Sequence, residues 1–369
     1  MQAPLIALTI GDPAGIGPEV VAGAWAWRNR FPACRAFVLG HPVILRRAVD
    51  LLRLNVKVVT ISSPEEVCEG DDVISCLPCG SDEAVDVPAA VVDRRGGQAA
   101  YDATVCAARL ALAGQIDAIV TAPLNKAALH AAGHAFPGHT ELLAHLCGVQ
   151  QVAMMLYLPR GESIMGRAGL GVAHATLHMA LRDVIDHLQV ERILASAALA
   201  CDVAQRFLQA EQIQGAPNVG VCALNPHAGE GGLFGQEERD IIVPAVNRAQ
   251  AAGLPVTGPF PADTLFARAR AGEFDAVVAM YHDQGHIALK SLDMYRAVNI
   301  TLGLPIIRTS VAHGTAFDLA WQGRAEVNGM LAAIRAAELL ARHRAPRSAP
   351  PRAAASEGTS WWDAHPGIS

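Results

Sequence analysis

Short apolar runs recur along the chain and alternate with longer stretches rich in Ala and Leu. The runs are LIALTI (5–10), CRAFVLG (34–40), VKVVTI (56–61), DAIVTA (117–122), VGVCAL (219–224) and DAVVAM (275–280), and each reads as a strand. The stretches around 99–114, 181–212 and 237–252 read as helices. Strands and helices in alternation are the signature of an α/β sheet. GVAHATLHMALRD (171–183) alternates like a strand and ends near His178, and NITLGLPIIRTS (299–310) reads as mixed strand and loop. HGTAFDLAW (313–321) reads as a His-Gly turn leading into a helix. The Pro-, Ala- and Ser-rich segment 345–369 reads as a mobile tail.

Polar clusters follow the apolar runs with regularity. GDPAGIGPE (11–19) follows the first, PLNK (123–126) and then FPGHTE (136–141) follow DAIVTA, NPHAGEGG (225–232) follows VGVCAL, and YHDQGH (281–286) follows DAVVAM. In doubly wound sheets the ligand sits beyond the carboxyl ends of the strands, so these clusters mark a cleft. The glycine-rich GDPAGIGPE is not the dinucleotide fingerprint, because Gly17 is followed by Pro18 and Glu19. It serves either a close backbone approach to a ligand or a tight strand-to-helix turn.

Composition narrows the class. At 369 residues about two domains are expected, and 51% hydrophobic against 17% charged residues allows large buried cores. A net charge of −6 argues against nucleic acid as a partner. The start of the chain lacks the basic and long apolar parts of a signal peptide, and no apolar run is long enough for a membrane span. Eight scattered cysteines suit reduced thiols in a cytoplasmic location, and CLPC (76–79) has no second pair to complete a zinc ribbon.

Three kinds of group supply candidate chemistry. His178, His227 and His282 each stand at or beyond the end of an apolar run in a different unit, and three imidazoles suit a divalent metal with open positions. Asp263 and Asp283 are placed to ligate or to orient those rings. Lys126, Lys290 and Arg308 lie in apolar or glycine-rich segments and suit a phosphate or carboxylate, with His139, Thr140 and Asn299 as neutral donors. At the end, His313 and Gly314 are placed to cup an adenine and Asp318 to accept from ribose hydroxyls.

The blocks GDPAGIGPE, TAPLNKAALHAAGHAFPGHTELLA, LNPHAGEGGLFGQEE, GPFPADTLF, MYHDQGHIALK and NITLGLPIIRTSVAHGTAFDLAW resemble the PdxA family of 4-hydroxythreonine-4-phosphate dehydrogenases, over nearly all of residues 5–335. The family includes relatives that act on D-threonate or D-erythronate 4-phosphate, and TAPLNKAALHAAGH and HGTAFDLAW look nearer to that branch. The segment PRGESIMGRAGLG (159–171) looks longer than the family's usual connection. The resemblance implies two α/β/α domains around a cleft, as in isocitrate and isopropylmalate dehydrogenases, with one domain from 1–130 plus 300–343 and another from 131–299. It implies a homodimer whose metal sites lie at the subunit interface. His178, His227 and His282 map onto the metal ligands, and His139, Thr140, Lys290, Asn299 and Arg308 onto the substrate contacts. The nucleotide, NAD or NADP, is expected near 299–318, and zinc, cobalt, nickel, manganese or magnesium at the histidines. Lys290, Asp263 and Asp283 remain the acid–base candidates.

The implied reaction is oxidation and decarboxylation of a 4-phosphorylated 3-hydroxy acid. The first expectation is 4-phosphohydroxy-L-threonine, and the alternative is D-threonate or D-erythronate 4-phosphate. A metal-dependent lyase or transferase without nicotinamide, and a non-catalytic anion- or metal-binding protein, are the competing classes.

Overall fold

The structure is a computed structural model and describes residues 3–27, 34–68 and 70–342, so the segment 345–369 lies outside the described residues. Twelve strands form one sheet: β1 (Leu5–Thr9), β2 (Arg35–Gly40), β3 (Lys57–Thr60), β4 (Val73–Pro78), β5 (Ala118–Thr121), β6 (Ala153–Leu158), β7 (Leu170–His174), β8 (Val219–Cys222), β9 (Val256–Phe260), β10 (Ala276–Ala279), β11 (Val298–Leu302) and β12 (Ile307–Val311). Their order across the sheet is β3-β4-β2-β1-β5-β12-β11-β6-β7-β10-β8-β9. The helices are α1 (Gly17–Trp25), α2 (Pro42–Leu51), α3 (Arg94–Leu112), α4 (Lys126–Ala131), α5 (His139–Cys147), α6 (Leu181–His187), α7 (Val190–Ala210), α8 (Val243–Ala251), α9 (Ala262–Arg270), α10 (His282–Asp293) and α11 (Asn328–Arg342).

β5, β7, β8, β10 and β12 are buried at every residue, which is why their sequences run apolar without alternation. The edge strand β3 is exposed or half-exposed and opens on Lys57. In α7 the buried positions Ile193, Ala197, Ala200, Ala204 and Leu208 repeat at helical spacing, and this face packs on β7 and β10.

The middle of the sheet decides where a site can form. β12–β5–β1–β2–β4–β3 are mutually parallel, as are β7–β10–β8–β9. Between them β11 is antiparallel to β12 and β6, and β6 is antiparallel to β7. Three reversals make the two parallel blocks run in opposite directions. Their carboxyl ends therefore approach the central strands from opposite sides.

Several expectations change. The strand expected over 171–183 ends at His174, leaving His178 in the irregular segment beyond it. The helix expected over 181–212 is two helices, with Leu188 and Gln189 extended between them. The helix expected over 237–252 begins as a π-helical turn over Glu238–Ile242. No helix directly follows the His313–Gly314 turn: residues 317–323 form turns, Trp321 takes a left-handed φ of 57° that ends any helical run, and the next helix is α11. Among the described residues no helix is long and apolar enough to cross a membrane.

Candidate active site

The GDPAGIGPE loop is built against protein. A side chain on Gly11, at φ 73°, would collide with the Pro123 carbonyl, and one on Gly17 with that of Ile10. Glu19 is buried and accepts from the backbone N–H groups of Trp321 and Gly323 at 2.5 and 2.7 Å. The turn thus ties the end of β1 to 315–323, and none of its residues lines the cleft described next.

A cleft of about 300 Å³ opens over one face of β11 and β12. Thr121 and Asn299 are both register partners of Ser310, and Arg308 lies two residues before it, so the four share that face. Pro123 and Lys126 enter from the end of β5, Gly138, His139, Thr140 and Glu141 from the start of α5, and His313 and Gly314 from the end of β12. From the opposite block come His178 and, along one face of α10, His282, His286 and Lys290.

The floor is cationic. Arg308 is 5% exposed, and its guanidinium donates to Thr121 Oγ1 at 2.7 and 3.2 Å and to Thr301 Oγ1 at 3.0 Å. No carboxylate pairs with it among the described residues; Glu141 acts on it only at longer range, and burial pulls its pKa down to about 10. Among the described residues His139 Nε2, Asn299 Oδ1 and His313 Nε2 are buried without a hydrogen-bond partner. Burial, then the Arg308 charge, holds the His139 imidazole well below its ordinary range, so it is neutral. A buried cation with no carboxylate against it, beside the neutral His139, suits an anionic ligand, while Asn299 Oδ1 and His313 Nε2, whose Nδ1 faces the Gly314 carbonyl at 3.0 Å, are acceptors for donor groups of that ligand.

The opposite wall carries the histidines. Thr176 holds the segment after β7 to the end of β10, its N–H and hydroxyl both donating to the Met280 carbonyl at 3.2 and 2.7 Å. Gln284 accepts from Met280 N–H and donates to the Ala223 carbonyl, each at 2.7 Å, and so staples β10 to the end of β8. The His178 and His282 rings then stand 5.6 Å apart. Asp283 Oδ1 lies 2.7 Å from His282 Nδ1 and Glu230 Oε2 lies 3.1 Å from His227 Nδ1. Each carboxylate accepts the Nδ1 proton and leaves Nε2 as a lone pair, the state a metal ligand needs. The donor set therefore fits a divalent metal in its chemistry. Within one chain it is incomplete: among the described residues no three His, Cys, Asp or Glu form a metal-holding group, and His227 stands outside the cleft with its side chain 69% exposed.

Of the other expected residues, His139, Thr140, Lys290, Asn299, Arg308, His313 and Gly314 line the cleft together, whereas the exposed Asp263 and Asp318 do not. Lys290 Nζ lies 3.4 Å from the Ala312 carbonyl, which turns it toward the His313 segment. Sequence reasoning assigned no role to Thr121, Glu141 or His286. The signal for His286 was present, since it follows His282 by one helical turn on the face that carries Lys290.

Fold and site together define an α/β enzyme whose cleft sets a cationic anion site against paired histidines. The profile of the family described as pyridoxal phosphate biosynthetic protein PdxA matches residues 32–337. A D-threonate 4-phosphate dehydrogenase of Cupriavidus necator is 44% identical, covering 93% of this chain and 98% of the relative. A 4-hydroxythreonine-4-phosphate dehydrogenase of Trichlorobacter lovleyi is 43% identical, covering 92% and 98%. A crystal structure of a 4-hydroxythreonine-4-phosphate dehydrogenase from Klebsiella pneumoniae superposes with a TM-score of 0.80 at 42% identity, covering 92% of this chain and 99% of that one. The chain belongs to the PdxA family and is an oxidoreductase of the dehydrogenase class.

Proposed function

We propose that the protein oxidises the secondary alcohol of a 4-phosphorylated 3-hydroxy acid with NAD or NADP, and that the product loses its carboxylate. The observation that carries this reading is the buried, unpaired Arg308 facing His178 and His282 across one cleft. A phosphate fits the first and an alcohol to be activated fits the second. The substrate is 4-phosphohydroxy-L-threonine, giving 3-amino-2-oxopropyl phosphate for pyridoxal phosphate synthesis, or D-threonate or D-erythronate 4-phosphate, giving dihydroxyacetone phosphate. Relatives bearing both names are equally similar in sequence.

In the reaction a hydride leaves C3 for the nicotinamide and the hydroxyl proton leaves for a base. The ketone formed lies β to the carboxylate, so the C1–C2 bond breaks to carbon dioxide and C2 gains a proton. Arg308, with His139, Thr140 and Asn299, binds the phosphate. Lys290 stands where its Nζ can hold or move a proton. Asp283 orients His282, and His313 and Gly314 lie on the nucleotide side, with Asp318 turned to the ribose. A divalent metal at His178 and His282 would supply Lewis acidity toward the substrate's hydroxyl and carbonyl oxygens. His227 and Asp263 join the site only from a second copy of the chain. The cleft then separates a nucleotide-side unit (1–130 plus 300–343) from a metal-side unit (131–299).

Exposed apolar side chains support the homodimer. Each of the three histidines is followed within seven residues by such groups: Leu181 and Ile185 after His178, Leu233 and Phe234 after His227, and Ile287 after His282, all 47–72% exposed. A second copy would cover them.

The test is reduced-nicotinamide absorbance with each of the three acids and a divalent metal. Turnover of at least one, abolished by chelation and restored by metal, is expected. Turnover of none sinks the reading.

A further inference from the structure

His286 is 7% exposed, lines the cleft and has no role in the reading above. It lies between the metal-side His282 and Lys290 on one face of α10, so a ligand spanning those two passes its edge. Its ring stacks on that of His282 at 3.8 Å and 9°.

The hydrogen bonds around it settle which nitrogen carries the proton. His174 Nδ1 lies 3.3 Å from the Met154 carbonyl, and a carbonyl only accepts, so Nδ1 is the protonated nitrogen of His174. His174 Nε2 is then a lone pair, and it faces His286 Nδ1 at 3.2 Å. That same Nδ1 lies 3.2 Å from the His282 carbonyl. Facing two acceptors, His286 Nδ1 must donate, and its Nε2 is left as the acceptor. Among the described residues no group hydrogen-bonds that Nε2, and it is not among the sealed orphan atoms of the interior. Gly285 makes the arrangement possible, because any side chain there would collide with His174 Nε2.

The charge around the cleft says what this acceptor suits. Lys126, Lys290 and Arg308 line it, against Glu141 as the one carboxylate among the described lining residues. A hydroxyl needs only a neutral acceptor. An ammonium group would add a fourth cation and find no counter-ion at His286.

We propose that His286 is a specificity-determining residue: its Nε2 accepts a hydrogen bond from the hydroxyl on the carbon next to the substrate carboxylate. It thereby selects a 2,3-dihydroxy-4-phosphate acid over the 2-amino acid of the same skeleton. The inference rests on the reading of the substrate as a 4-phosphorylated hydroxy acid.

The test compares kcat/KM of the metal-loaded enzyme for D-threonate 4-phosphate, 4-phosphohydroxy-L-threonine and 3-hydroxy-4-phosphobutanoate, which lacks any donor at C2. The parent enzyme is expected to prefer the 2-hydroxy acid over both others. In His286→Phe, which keeps a ring on His282 but no acceptor, the 2-hydroxy over 2-deoxy ratio should fall about tenfold, the scale of one substrate hydrogen bond. An unchanged ratio, with rates on both acids falling together, would show a structural role and overturn the proposal. So would a parent enzyme that prefers the 2-amino acid. If the Phe ring fails to pack, His286→Leu decides by the same ratio. Turnover of none of the three acids by the parent sinks the functional reading itself, whereas turnover with a flat ratio sinks this inference alone.

Discussion

Arg308 places a full charge in the interior with, among the described residues, only the Thr121 and Thr301 hydroxyls accepting from it. Burying a cation without a carboxylate costs stability, and an apolar residue of similar size removes that cost. Arg308→Met should therefore leave unfolding free energy within ~1 kcal/mol of the parent, or raise it, while kcat/KM for a phosphorylated substrate falls about a hundredfold or more. Urea titration and steady-state kinetics check the two halves. A large loss of stability would mean that the guanidinium holds the fold rather than a ligand. Asp12 is the acidic counterpart. Burial, and then Asp93, raises its carboxyl to about 6, and its Oδ2 meets no hydrogen-bond donor among the described residues. The folded chain keeps this proton where the unfolded chain has lost it, so stability falls as pH rises from about 4 to about 6 and stays lowered above. Asp12→Asn keeps an acceptor for the Ala14 N–H, which Oδ1 meets at 2.9 Å. It should be more stable than the parent at pH 7.5 by roughly 1–3 kcal/mol, with the gain gone at pH 4. Unfolding at both pH values tests this, and an equal effect at the two would exclude the titration.

The element that carries His227 is a left-handed turn. His227, Ala228 and Glu230 have φ of 52°, 55° and 45°, each costing about 1 kcal/mol for a residue with a Cβ. Glu238 anchors the segment that leads into them: its carboxylate accepts from the N–H groups of Leu224 and Asn225 at 2.9 and 2.7 Å and from Asn225 Nδ2 at 2.9 Å. Glu238→Ala strands two backbone donors and frees the turn to relax. A loss on the order of 2–4 kcal/mol is expected, together with faster proteolytic cleavage inside 226–235; unchanged cleavage would mean the turn is held by something else. This turn also marks a limit of what sequence can show. Strands such as DAIVTA and DAVVAM were legible because burial on both faces leaves an unbroken apolar run, and HDQGH was legible as a site because polar groups there interrupt such a run. The turn was not, since Ala and Glu have no propensity for left-handed backbone and adopt it here beside a segment anchored by Glu238, eight to ten residues further along the chain. Nor was the break in 181–212, where no Gly or Pro stands between α6 and α7 and the buried Leu188 sets the bend by packing. Pairing distant histidines, such as His174 with His286, needs the register of β7 against β10.

At the scale of the whole molecule, one chain brings two of the three expected metal histidines near each other and leaves the third exposed outside the cleft. His178 and His282 stand 5.6 Å apart inside the cleft, while His227 is held outward on a turn flanked by exposed Leu233 and Phe234. In a two-fold dimer whatever one chain lends, it also receives, so each site would combine His178 and His282 of one copy with His227 of the other. That assignment differs measurably from three ligands drawn from one chain. His227→Ala and His282→Ala should each be inactive alone. When the two are unfolded, mixed and refolded together, half of the dimers are hybrids. In a hybrid one site takes His282 from the first variant and His227 from the second and is intact, while the other site lacks both. About a quarter of parental activity should return, and the mixture should bind about a quarter of the parental metal with high affinity. If the three ligands belonged to one chain, every site in every hybrid would lack a ligand and nothing would return. Mixing His178→Ala with His282→Ala is the internal control: these two losses fall in the same half-site, so no hybrid holds an intact one, and recovery there would overturn the arrangement.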